Sequence, residues 1–125
     1  MGRIRLLIVS LLVLVLGILL RSGFGQPAAK TLTINGYVLD SACAFTKNLS
    51  KPVSRTCAIA CARAGSPLVV LSDDGTLYWP IASTMPATGQ NAHLMRFAGK
   101  RVTVRGTVYE KGGSRAIVIR KIELK

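Results

Sequence analysis

Acidic side chains are scarce in this chain. Five carboxylates, Asp40, Asp73, Asp74, Glu110 and Glu123, stand against 17 lysines and arginines, and there is one histidine, His93. General acid–base catalysis needs positioned carboxylates or imidazoles, and three of the five acids already have simpler duties. Asp73 and Asp74 precede Gly75 in a turn-forming run, and Asp40 stands just before Ser41, where an Asx-type turn accounts for it. A serine–histidine–aspartate order and a phosphate-cradling glycine loop are both missing. So are the Cys-x-x-Cys redox motif and the Cys-x-x-Cys-His haem motif. These gaps predict a protein that is not an enzyme and needs no organic cofactor.

Polar residues are also missing from the start of the chain. After Arg3 and Arg5, Leu6–Leu20 is apolar except for Ser10, and Arg21 closes the run. Residues 1–25 therefore read as a membrane anchor or a signal peptide. A signal has a positive start and about 7–15 apolar residues. Its cut would fall before Gln26, with Gly23 and Gly25 as the small residues, but the Ala-x-Ala pattern is absent. A spanning helix needs roughly 17–25 apolar residues, and Ile4–Phe24 supplies them if Arg5 snorkels to the headgroups. No cysteine follows the run, which leaves a lipoprotein anchor unsupported. The expectation is an inner-membrane anchor with the C-terminal domain on the periplasmic side. The alternative is a cleaved signal and a free periplasmic protein. The positive start keeps the N-terminus inward in both cases.

Residues 26–30 read as a linker and 31–125 as one domain. From Gln26 onward fourteen lysines and arginines face five acids, a net charge of +9. In a cytosolic protein such charge points to nucleic acid. An exported chain meets other polyanions, so the expected partners are the lipid bilayer and an acidic protein or larger membrane complex, not nucleic acid.

Period-two alternation marks the strands. In Thr31–Asp40, Leu32, Ile34 and Val38 share one face with Gly36. In Arg101–Glu110, Val102, Val104 and Val108 do the same with Gly106. A glycine in the inward row leaves room for a bend or for a neighbouring strand to approach. Leu68–Leu71 and Leu77–Ile81 flank Asp73-Asp74-Gly75, a strong hairpin signal. Gly112-Gly113 turns the chain into Ala116–Leu124, whose apolar phase slips in a way that predicts a bulge near Arg120. Between the first strand and the hairpin, Ser54 as N-cap, Arg63 in the last turn and Gly65 beyond predict a helix. Gln90–Ala98 predicts a shorter helix that Gly99 stops.

The order strand, inserted helix, hairpin, short helix, hairpin resembles the OB-fold, a five-stranded Greek-key barrel. The expected fold is therefore mainly β: an OB-like barrel with an inserted cysteine-bearing helix, preceded by the N-terminal apolar segment. The chain is similar to small exported bacterial OB-like proteins of uncharacterised function in GYVLDSAC, CAIACARAGSPLVVLSDDGTLYWP and the strand that opens with AGK. That resemblance implies fold and export and brings no catalytic residues. The insertion departs from the minimal barrel, which places an oligonucleotide-binding face in doubt.

Cys43, Cys57 and Cys61 are the only thiols. Cys57 and Cys61, four apart, share one face of the predicted helix. One reading pairs Cys43 with either of them in a disulfide that contributes about 3 kcal/mol to a small core. The other is a thiol site, because the helix start and Arg55 favour thiolate at Cys57. Cys-x3-Cys with a distant histidine resembles the copper sites of exported copper chaperones for cytochrome oxidase. On that reading Cys57, Cys61 and His93 are the ligands, with Met85 and Met95 as thioether candidates, and copper is the alternative cofactor. Zinc requires four ligands, and Cys43, Cys57, Cys61 and His93 could supply them only if all three thiols escape oxidation.

Alternation with Leu77 and Ile81 predicts that Trp79 is buried and that Tyr78 faces outward. Tyr78, Met85, Arg101 and Arg105 are the candidate interface residues. Three functions remain open. The first is a membrane-anchored accessory subunit or binding module of a larger membrane complex. The second is a copper-binding or redox protein using the Cys57/Cys61 pair. The third is a free periplasmic module for a small ligand or an anionic polymer.

Overall fold

The structure, a computed structural model, describes residues 1–2 and 29–125. The predicted anchor or signal, apart from its first two residues, lies outside the described residues. No helix among the described residues is long and apolar enough to cross a membrane.

Five strands close a barrel: β1 (Lys30–Asp40), β2 (Leu68–Ser72), β3 (Leu77–Pro80), β4 (Arg101–Lys111) and β5 (Ser114–Leu124). Their order around the barrel is β1-β2-β3-β5-β4. Neighbours are antiparallel except β3 and β5, which meet in parallel through Trp79↔Ala116 and Pro80↔Ile117. The long first strand serves both sides. Its Lys30–Tyr37 portion pairs with β4, and its Gly36–Asp40 portion pairs with β2. Gly36 stands at the changeover, where a Cβ would lie 2.1 Å from the Leu71 carbonyl oxygen. Gly106 allows a similarly close approach in β4, with the Val118 carbonyl oxygen 2.4 Å from where its Cβ would be. The expected bulge is present. Arg105 faces Lys121 and Gly106 faces Ile119, leaving Arg120 as the extra residue.

Inside the barrel Ile34, Val38, Val70, Val102, Val104, Val108 and Ile117 pack together. Each such aliphatic side chain contributes about 1.5–3 kcal/mol by leaving water. Ala58 and Ala62 from α2 (Arg55–Arg63) join this core, together with Leu94 and Phe97. Leu94 closes α3 (Asn91–Leu94), and Phe97 closes the 3-10 turn Met95–Phe97 that follows. Small residues on α2 let its backbone lie close to the strands.

The insertion holds a second helix that the sequence did not announce, α1 (Ser41–Lys47), begun by the last residue of β1. It covers the outer face of β1 and β2. There Leu39, Ala44, Val69 and Leu71 form a smaller core with Tyr37, Leu49, Val53, Leu77 and Trp79 packed on it. All five residues of β2 are consequently buried. This outer core corrects the expected phase of β3. Tyr78 pairs with Val70 and points into the barrel, whereas Trp79 joins the outer cluster and is half-buried. The alternation of Leu77 and Trp79 was real, but it marks the face turned toward the insertion.

Candidate functional site

The two helices of the insertion bring all three cysteines to one place beside the end of β1. Ser54 caps α2, its hydroxyl accepting from the Cys57 amide at 3.2 Å, which fixes Cys57 in the first turn and Cys61 one turn on. Gly99, with φ of 72°, lets the chain pass so near α2 that a Cβ there would lie 2.3 Å from Arg55 Cα. The Arg55 guanidinium donates to the Ala98 carbonyl at 2.8 Å and anchors the same end of the helix. Asp40 caps α1, its Oδ2 accepting from the Cys43 amide at 3.1 Å. Cys43 thereby comes off β1 onto the cysteine-bearing face of α2.

The sulfurs of Cys43 and Cys57 are 3.8 Å apart, and all three cysteines are free thiols. The predicted disulfide is therefore not formed in this structure, although the proximity it required is present. A carboxylate oxygen of Asp40 and the sulfurs of Cys57 and Cys61 lie within 4.8 Å of one another. Asp40 is fully buried, and its Oδ1 has no hydrogen-bond partner. Among the described residues Asp40 makes no ion pair; the ion pairs join Arg101 to Asp73, Arg115 to Glu110 and Lys121 to Glu123.

The carboxylate works against thiolate formation around it. The Asp40 side chain beside it, then burial and the neighbouring Cys57, push the Cys43 thiol up to about 12 from 9.0. Burial, and after it the negative charge of Asp40, push the Cys61 thiol up as well. Cys43 and Cys61 are thus held as neutral thiols beside the carboxylate, and a bound cation would offset the negative charge that their deprotonation adds. Beside the cluster lies a cavity of about 170 Å³, walled by Asp40, Cys43 and Cys57 with Leu39, Leu49, Pro52, Val53 and Ala58, and bordered by Lys47 and Lys51. Cys57 is exposed and gives the cluster an opening to solvent.

The other predicted site residues lie elsewhere. His93 shares a groove with Arg55, Ile59, Arg63, Ala92, Met95 and Arg96. Arg55, Ile59 and Arg63 recur every four residues, two positions out of phase with Cys57 and Cys61, so this groove meets the opposite side of α2. Neither His93 nor Met95 belongs to the thiol cluster. Met85 is exposed in the loop after β3. Arg101 pairs with Asp73 and lies over the Tyr37 ring, while Arg105 is exposed on β4. Tyr78, expected at an interface, is buried.

Asp40 is the residue of the cluster that the sequence reading passed over. Its signal was the spacing Asp-Ser-Ala-Cys, which places a carboxylate three residues before a thiol. Comparison of the chain with protein-family models, with curated proteins and with solved structures found no match. The chemistry of the site therefore rests on its own residues.

Proposed function

We propose that this chain is an exported, membrane-tethered OB-like barrel that binds a thiophilic metal ion at Cys43, Cys57 and Cys61 and performs no catalysis of its own. The single observation that carries the reading is that Cys57 and Cys61 meet the buried carboxylate of Asp40 within 4.8 Å, with the Cys43 sulfur in contact with Cys57 at 3.8 Å. Thiolates suit Cu(I) and Zn(II), and a bound ion would hold them against the oxidation expected outside the cytoplasm. The strand order and the parallel closure of β3 on β5 support the OB-like assignment. Export and tethering rest on the apolar run Leu6–Leu20. The ligand set departs from the copper-chaperone pattern, because His93 stands on the far side of α2.

The test is metal binding by the reduced full-length protein in mild detergent, measured against a competing chelator. One equivalent of Cu(I) or Zn(II) is expected to bind tightly, and the double substitution Cys57→Ser with Cys61→Ser should abolish it. A native protein with Cys43 in a disulfide and no tight metal binding would refute the reading.

A second reading is supported by a different surface. Phe45 is exposed and packs on Trp79 with ring centroids 6.3 Å apart, and exposed Ile81 and Met85 follow in the next loop. Exposed aromatic and methionine side chains are typical of protein interfaces. On this reading the barrel docks as an accessory subunit on a larger membrane complex, and the two roles are compatible.

A further inference from the structure

The unpartnered carboxylate of Asp40 carries more than the thiols do. A helix N-cap ordinarily needs one side-chain oxygen at an accessible position. Here Oδ2 does the capping, and Oδ1 is held with no partner inside a fully buried residue. Burial of a charged oxygen is unfavourable unless a cation or donors meet it. The polar groups that face it from the packed elements are Cys43 on α1 and Cys57 and Cys61 on α2. Each of these becomes anionic when it binds metal. Lys47 and Lys51 border the adjoining cavity without pairing to Asp40.

We propose that the site is a four-ligand centre for a zinc-class divalent ion: Asp40, Cys57 and Cys61, whose ligand atoms lie within 4.8 Å of one another, hold it, and Cys43, in contact with Cys57, closes onto it as the fourth ligand. This rests on the reading that the cluster binds metal. Thiolate sulfurs about 2.3 Å from a tetrahedral ion stand roughly 3.8 Å apart, and the Cys43–Cys57 separation of 3.8 Å matches. A hard carboxylate oxygen among three sulfurs suits four-coordinate Zn(II) and adds little for Cu(I), which soft thiolates already satisfy. Four protein ligands fill the coordination sphere, as in structural zinc sites. The ion would tie the end of β1 to both inserted helices, the task that the expected disulfide would have performed.

The experiment uses the reduced full-length protein in detergent, titrated with Co(II) as a spectroscopic probe and then with Zn(II). One equivalent of Co(II) should give the intense visible bands of a tetrahedral thiolate complex, and Zn(II) should displace it. Asp40→Asn keeps a capping oxygen and should weaken Co(II) and Zn(II) binding by about tenfold or more, while Cu(I) binding, which depends on the thiolates, is not weakened. X-ray absorption at the zinc edge of the unsubstituted protein should read three sulfur neighbours and one oxygen, a measurement that requires no variant. Metal binding with an unchanged spectrum and affinity in Asp40→Asn, or a shell without oxygen, overturns the role of Asp40 and leaves the thiol reading standing. Failure of the unsubstituted reduced protein to bind Co(II), Zn(II) or Cu(I) overturns both.

Discussion

Two aspartates, Asp40 and Asp74, show how the same side chain takes opposite roles according to its surroundings. Asp74 lies in the β2–β3 turn, where it accepts from the Ser72 hydroxyl and from the Thr76 amide at 3.0 Å. The Ser72 hydrogen bond first, and then the Thr76 amide, lower its pKa from 3.8 to about 2. A carboxylate whose folded value is depressed adds stability that is fully present above the unfolded value. That contribution should be intact above pH 4 and vanish as the pH falls from 3.8 through about 2. Acid unfolding of Asp74→Asn should therefore lack the part of the slope that the native chain shows in this window, and identical acid curves would contradict it. Asp40, by contrast, is buried among thiols and raises their pKa values. The turn role of Asp74 was legible from Asp-Asp-Gly. That of Asp40 was only half legible, since its cap follows from local spacing but its burial depends on packing.

At the level of elements, the insertion is where local pattern and tertiary structure part company. The helix α2 was readable from Ser54, Arg63 and Gly65, and it forms as expected. The helix α1 was not, because its seven residues show no apolar period and its cap is also the end of a strand. The phase of β3 was misread for a related reason. A strand covered on both faces by apolar side chains does not reveal by alternation which face is the barrel interior. Asn91 joins these pieces. Its Oδ1 accepts from the Leu68 amide at 2.8 Å, and its Nδ2 donates to the carbonyls of Ala62 at 3.2 Å and Ser66 at 2.8 Å. Asn91→Ala strips the partner from the amide of buried Leu68 and should cost about 1–3 kcal/mol, read as a lower urea midpoint. An unchanged midpoint would show that water replaces these bonds.

For the molecule as a whole, charge and location matter more than any one contact. The net charge of +12 is spread over a chain whose few acids are largely engaged in ion pairs, turns and the thiol cluster. On the proposed tethering, a basic barrel beside a bilayer would suit anionic lipid and acidic protein surfaces. If the tether reading holds, gentle solubilisation of membranes should release the protein in a particle larger than the monomer, with an intact mass that begins at Met1. A mass beginning at Gln26 would replace the tether with a free periplasmic protein. Migration only as a monomer would refute the accessory-subunit reading.

The sequence by itself determined the strands, their hairpins, the glycines in the inward rows and the cap of α2. Each of these is set by periodicity or by backbone chemistry within a few residues. Only the tertiary structure decided which side chains share a site. Closure of the barrel brought the end of β1 beside the insertion, put Cys43 within contact of Cys57 and enclosed Asp40 among the thiols. It also turned His93 to the other side of α2. Ligand sets join residues far apart in the chain, and the distances among them are fixed by packing that no local pattern encodes.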